Sequence, residues 1–402
     1  MSRVPLAVLS IALLAPTLPA SVHVVDDDGG AGVNFTSISA AVAAAVDGDI
    51  ILVKNGSYTG FTLDDLGVVI TADLGHAVQV NGQVVVKNLA AAKAATISGV
   101  DVNSNSSGEA VLLQSNVGSV FFERATIVGS GIQIFQTAIG LSASQCADVT
   151  IVDCSISVAF GAGGVSGLDL VNTSAHVYNS SLSGGAQPIE TLPGGAGCRV
   201  FGGFLFAAGT SFQGGQGGDG ALQPPFGICT DGGMGGAGLQ LVGGADAKIV
   251  DSSFAGGAGG APGGPLCVAG PTGPGQDLSG GTLYSFPWPA RTYDIPSPAR
   301  EGTNGFISLA GDPGEFVWVF FSFVQTPTYA HTIKGTLLPG TPNFIIFFGA
   351  LPASGVLSAT VPVPIHPSAL SFALVEQAVY FTQAKGFQVS NPRLGIVLDQ
   401  SL

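Results

Sequence analysis

The chain repeats itself at a step that few folds can use. Variants of one phrase, an apolar residue, a short polar cluster and a second apolar residue, occupy 122–127, 151–156, 177–182, 206–212 and 249–254, with a fainter copy at 97–102. The closing apolar residues are Val102, Ile127, Ile156, Leu182, Phe212 and Phe254. Most steps are about 25 to 30 residues, the period of a solenoid, in which each repeat buries its apolar face only against its neighbours.

Each repeat also holds an earlier short strand, at 111–113, 139–141, 168–170, 198–200 and 239–241, with inward and outward residues alternating. Two strands and a variable loop per repeat predict a right-handed parallel β-helix over 24–281. Its coils stack about 4.8 Å apart. A leucine-rich repeat shares the period, but its Leu/Asn consensus is missing. Ser37 or Ser39 caps a predicted helix with Ile38, Val42 and Val46 on one stripe, stopped by Asp47-Gly48-Asp49. Residues 50–53 read as a buried strand. The helix serves as a cap, because the end of a solenoid exposes both core and strand edge.

Two long Gly-rich inserts, 214–238 and 256–280, read as flexible packing loops. After Gly281 the composition changes. Pro287, Pro289, Pro296 and Pro298 mark a linker, and the β-former-rich runs beyond it predict a separate β-sandwich at 282–402.

Residues 1–20 read as an export signal: Arg3, an apolar core at 6–14, then Pro16, Pro19 and Ala20. That core is too short to span a bilayer, and no later stretch reads as a transmembrane helix. The expected location is therefore secreted or cell-surface. An exported chain permits disulfides, and Cys229 with Cys267 is the predicted pair, each in a loop that follows one repeat phrase. Cys146 and Cys154 fall close within one coil, and Cys198 reads as a buried thiol. With no CxxC pair and no nearby His, zinc is not expected. The net charge of -14, with twelve scattered basic residues, excludes a nucleic-acid partner, since phosphate binding needs clustered Lys and Arg.

Gly32-Val-Asn-Phe-Thr-Ser-Ile-Ser-Ala-Ala-Val42, then Asp47-Gly-Asp-Ile-Ile-Leu-Val53 and Gly56-Ser-Tyr58, resemble the opening of pectin lyase-like right-handed β-helix proteins. With the repeats, the resemblance covers roughly 24–280. It implies the fold, and a superfamily that includes lyases, hydrolases and esterases of acidic polysaccharides beside proteins of no known reaction. The segments 373–381 and 387–392 resemble C-terminal β-domains of large secreted proteins from planctomycete-type bacteria. The catalytic patterns of the superfamily do not carry over. The Asn-Thr-Asp, Asp-Asp, Gly-His-Gly and Arg-Ile-Lys segments of polygalacturonases are absent. At the pectinesterase-like Gly56-Ser-Tyr58, Gly60 stands where those enzymes carry Glu.

Asp153, Asn179 and Asp251 share one place in the phrase. Stacked carboxylates there suit calcium or an acid/base pair, while Asx residues also suit turns for structural reasons. Asp219 ends a Gly214-Gly-Gln-Gly-Gly-Asp219 stretch that matches the start of one calcium-binding nonapeptide. Asp26, Asp27 and Asp28 form an acidic run. Tyr284, Phe286 and Trp288 cluster near the predicted junction, placed to stack on sugar rings or to pack between domains. No cofactor is expected, with calcium the lesser option. The expected function is a non-catalytic extracellular protein that binds polysaccharide or a cell-surface component. The alternative is a lyase or hydrolase, which requires acidic groups and a base converging in an outward groove.

Overall fold

The computed structural model describes residues 20–104, 108–130, 138–160, 164–187, 190–223, 228–341, 343–363, 365 and 371–402. The expected signal sequence, apart from Ala20, therefore lies outside the described residues. The fold is almost entirely β, with one helix among the described residues, Ile38–Ala44. No helix there is long and apolar enough to cross a membrane.

One large parallel, solenoid-like sheet system carries the N-terminal two thirds. Its strands stack in three columns. The first runs from Val22–Val25 through Ile50–Val53, Ser119–Glu123 and Asp148–Val152 to Ala245–Val250 and Gly281–Phe286. The second includes Val100–Asn103, Thr126–Ser130, Ser155–Phe160, Ser181–Ser183, Ser211–Gln213 and Ser253–Ala255. The third includes Val111–Gln114, Leu141–Ser144 and Leu239–Val242. Val102, Ile127, Ile156, Leu182, Phe212 and Phe254 pair in one unbroken register, as the spacing requires. The Phe212 and Phe254 rings stack with centroids 5.0 Å apart.

Left-handed residues turn each of two corners, one in most rungs and a Gly-Gly pair at 202–203 and 243–244. Between the first and second columns stand Gly99, Arg124, Asp153, Asn179, Gly209 and Asp251, with φ from 44° to 68°. Between the third and first stand Asp65, Asn88, Ser115, Gln145 and Asn172, with φ from 48° to 59°. Asn and Asp tolerate this region better than most residues, which explains their recurrence in the phrase. At 209 a Cβ would lie 2.6 Å from Asn179 Oδ1, so any other residue there requires the Asn179 side chain to shift.

The helix matches its predicted start, since Ser37 accepts the Ala40 N–H. It ends earlier than the apolar stripe suggests. Asp49 accepts the Val46 N–H at 2.9 Å, and Val46 lies outside the helix, 64 % exposed. Ile38 and Ala41 bury against the core, with Val42 packed beside them.

First-column strands are covered on both faces. Ile51, Val120, Phe122, Val149, Ile151 and Val177 face the solenoid core. Their neighbours Ile50, Leu52, Phe121, Val152 and Tyr178 face outward and join Leu338, Val375, Leu394 and Ile396 of the C-terminal region. Burial on both faces explains why residues 50–53 read as a continuous apolar run. The C-terminal region is itself two facing sheets. One contains Thr292–Asp294, Asn304–Ala310 and Val356–Pro362, the other Gly386–Leu398, Phe372–Thr382, Phe316–Ser322 and Phe344–Ala350. Tyr293, Leu309, Val317, Val319 and Tyr380 form the core between them.

The Gly-rich inserts are not loose loops. The N–H groups of Gly214, Gly217 and Gly220 donate to the carbonyls of Ala255, Ala258 and Ala261 at 2.9, 2.9 and 2.8 Å. The next register links Gly236 to Gly215, Gly257 to Gly236 and Gly273 to Gly257 at 2.8 to 2.9 Å. Bonding at every third residue follows the period of a polyproline II helix, which has no hydrogen bonds of its own. Neighbouring segments satisfy the backbone instead. They lie too close for side chains: a Cβ at Gly257 would sit 1.9 Å from Gly215 O. Cys229 and Cys267 form the predicted disulfide across the outer loops, with Cα atoms 6.0 Å apart. Cys146, Cys154 and Cys198 are free and buried, so the first two are neighbours in sequence and not a bridge.

Gly257→Ala is expected to destabilise the protein by about 1–3 kcal/mol through overpacking, whereas Ala258→Ser at the exposed third position should be neutral. Thermal unfolding of both variants checks this. Equal stability of the two would show that the close approach of the segments carries no energetic weight.

Candidate functional site

A groove of about 870 Å³ runs along the corner between the first and second columns. Asp153, Asn179, Gly209 and Asp251 lie along it, with Phe286 at one end. Two rows of small polar residues follow them in each phrase. The inner row bonds to its own backbone. Ser180 donates to Tyr178 O at 2.7 Å, Thr210 to Ala208 O at 3.2 Å and Ser252 to Val250 O at 2.9 Å. The outer row, Ser155, Ser181, Ser211 and Ser253, pairs in strict parallel register and is exposed. A hydroxyl ladder with a rise of about 4.8 Å per rung therefore faces the groove. The alternating strand pattern forces this geometry: the inward residue after each outer Ser closes the core, so the Ser must point out. No Lys, Arg or His is among the described groove residues.

The three Asp singled out by their place in the sequence have separate partners. Asp153 forms an ion pair with Arg393. Asp251 accepts the Ala290 N–H at 2.9 Å. Asp219 accepts the Ala261 N–H at 2.7 Å and so closes one end of the glycine bundle. Asp153 and Asp251 are three rungs apart, about 14 Å, too far to share an ion or a proton. The carboxylates of Asp26, Asp27 and Asp28 do come within 4.8 Å of one another, near the first rungs and away from the groove. Asp27 there accepts the Ser57 N–H at 2.9 Å.

Tyr284, Phe286 and Trp288 form a continuous aromatic row. Tyr284 meets Phe286 edge-on at 4.7 Å, and Phe286 stacks on Trp288 at 5.3 Å. Lys334 sits over Trp288 at 3.9 Å, a cation–π contact that ties Trp288 to the C-terminal region. Tyr284 remains 55 % exposed.

Beside the groove, Arg393 links the C-terminal sheet to two rungs of the solenoid. It reaches Glu123 at 3.1 Å, Asp153, and Asp294 at 3.0 Å, and donates to Tyr293 O at 3.0 Å. Glu123 is fully buried. A second tether joins Arg300 to Asp73 at 2.9 Å. Burial alone would raise the Asp73 carboxyl, but hydrogen bonds from Arg300, Lys54 and the Leu74 N–H outweigh it and hold the group at about 2.

Under the C-terminal strands lies a buried pair. His176 Nε2 is 3.5 Å from Asp148 Oδ1, and its Nδ1 is 3.0 Å from Thr336 Oγ1. Burial pushes Asp148 up to about 7, with the neighbouring Ser119 and Thr150 opposing the shift only weakly, and burial pushes His176 down to about 3. The pair is thus neutral in mildly acidic solution. Burial also raises Cys154, to about 12, and keeps it an inert thiol despite its place under the groove.

The outer Ser ladder was missed in the sequence, although its signal was present: the four phrase copies that close on Ile156, Leu182, Phe212 and Phe254 end their polar cluster in Ser, where the two earlier copies have Asp101 and Thr126. No family model and no curated protein matches the chain. A superoxide reductase (neelaredoxin) from Ignicoccus hospitalis is similar to a part of it, with 11 % identity over 27 % of this chain and 80 % of that one and a TM-score of 0.18.

Arg393→Met should cost about 3 kcal/mol, the lower end for a broken buried pair, because fully buried Glu123 keeps only the partly exposed Arg124 at 3.3 Å as a cationic partner. Adding Glu123→Gln should recover part of the loss. Chemical denaturation of the single and double variants measures both.

The buried pair also sets a pH dependence. Between about pH 4 and 6.5 the unfolded chain binds one proton, on His176, and the folded chain binds one, on Asp148, so the pair contributes no slope. Asp148→Asn leaves only the depressed His176. Stability should then fall as pH drops from 6.5 towards 3. His176→Gln leaves only the raised Asp148, so stability should fall as pH rises from about 4 towards 7. Denaturation at several pH values reads the two opposite slopes; parallel slopes in the two variants would refute the neutral pair.

Proposed function

We propose that the chain is an exported right-handed parallel β-helix carrying a C-terminal β-sandwich, and that it holds polysaccharide along the corner groove without transforming it. The single observation that carries this reading is the exposed ladder of Ser155, Ser181, Ser211 and Ser253, at one height per rung in an open groove. A polymer with repeated hydroxyl groups can meet such a ladder with repeated hydrogen bonds, because each Ser both donates and accepts. Phe286 and the exposed Tyr284 continue the surface with aromatic faces suited to sugar rings. The three-column winding and the likeness of residues 32–58 to pectin lyase-like proteins support the helical fold. The Cys229–Cys267 disulfide fits an oxidising, extracytoplasmic location.

A lyase or hydrolase needs a free acid and base at a shared position. The guanidinium nearest the groove carboxylates, Arg393, is held by Glu123, Asp153, Asp294 and the Tyr293 carbonyl. Asp153 is occupied by the same contact. That arrangement favours holding over turnover.

A Ser181→Tyr/Ser211→Tyr variant should fold as the parent does, since both side chains are exposed, and should lose retention on polysaccharide gels. Unchanged retention would remove the groove from the proposal. New reducing or unsaturated ends in the incubated polymer would replace it with the enzymatic reading.

A further inference from the structure

Resting on that reading of the groove, we infer that it selects neutral polysaccharides and rejects polyuronates. The argument concerns charge. A uronate chain brings one carboxylate per sugar and needs cations to replace its solvation. The groove residues include no Lys, Arg or His, and Lys248, 5.7 Å over the flanking Tyr284 ring, is paired with Asp246 at 3.1 Å. The cation in the same corner ladder, Arg124, lies a rung before Asp153 and is paired with Glu123 at 3.3 Å. Arg393 is already surrounded by three carboxylates. What the groove does hold is negative: Asp153 towards one end and the exposed Asp251 towards the other. Among the described residues, one oxygen of Asp251 is engaged, by the Ala290 N–H. The remaining oxygen is an acceptor with no donor capacity, which suits a sugar hydroxyl and repels a second carboxylate. Asn179 and the four Ser are neutral and bifunctional. The net charge of -14 adds a long-range field of the same sign. The donor and acceptor pattern therefore matches a chain that is rich in hydroxyls and poor in charge.

The test is affinity electrophoresis of the full chain through gels containing hydroxyethylcellulose, xylan, glucomannan, polygalacturonate or alginate, at low and high salt. The expected result is retardation by at least one neutral polymer, unchanged by salt, and none by the two polyuronates at low salt. Asp251→Asn keeps an acceptor for the Ala290 N–H and removes one charge. It should improve polyuronate retention about tenfold, the factor that corresponds to roughly 1.4 kcal/mol of relieved repulsion. Strongest retardation by polygalacturonate or alginate overturns the charge inference and leaves the binding groove standing. Retardation by none of the polymers overturns both.

Discussion

The solenoid and the groove along it depend on parallel hydrogen bonding between rungs at one fixed height. Strand-to-strand spacing of about 4.8 Å turns a repeat in sequence into a column in space. Val102, Ile127, Ile156, Leu182, Phe212 and Phe254 then fill one core column, while the residues just before four of them form the hydroxyl ladder. Core and groove are two sides of the same register. A slip by one residue would expose the core column and bury the Ser at once. The same bonding places left-handed corner residues above one another, so that Asn179 leans over Gly209 and the chain can turn without a longer loop.

The solenoid was legible because its signal is periodic and local. Apolar residues at 25- to 30-residue steps need only neighbouring rungs to explain them. The disulfide between Cys229 and Cys267 was legible for the same reason, since loops that follow the same phrase end up adjacent. Docking of the C-terminal region was not legible. Its polar anchors, Glu123 with Arg393 and Asp73 with Arg300, lie far apart in the chain, and no period connects them. The continuous apolar character of residues 50–53 and 120–122 did contain a hint, because a strand with one solvent face would alternate.

The candidate site was half legible. Its Asx residues stood out because Asp153, Asn179 and Asp251 share one place in the repeat phrase. Their chemistry was then obscured by that visibility: Asp153, Asp219 and Asp251 each serve a local structural partner. The Ser ladder drew no attention because Ser is common and its alignment exists only once the rungs are stacked. The inserts misled in the opposite direction. Abundant glycine suggests a chain with too much freedom, yet here the missing side chains allow backbones to approach and lock together.

That locking sets how such a bundle can change length over evolution. Each outward segment is read by its neighbour once every three residues, through Gly214, Gly217 and Gly220 on one side and Gly215 and Gly218 on the other. Adding a whole triplet extends the projection and preserves every pairing before and after it. Adding a single residue would rotate all later amides away from their acceptors and drive side chains into carbonyls. The inserts therefore have a reading frame of their own, written in backbone geometry, and the protein can lengthen or shorten this projection only in units of that frame.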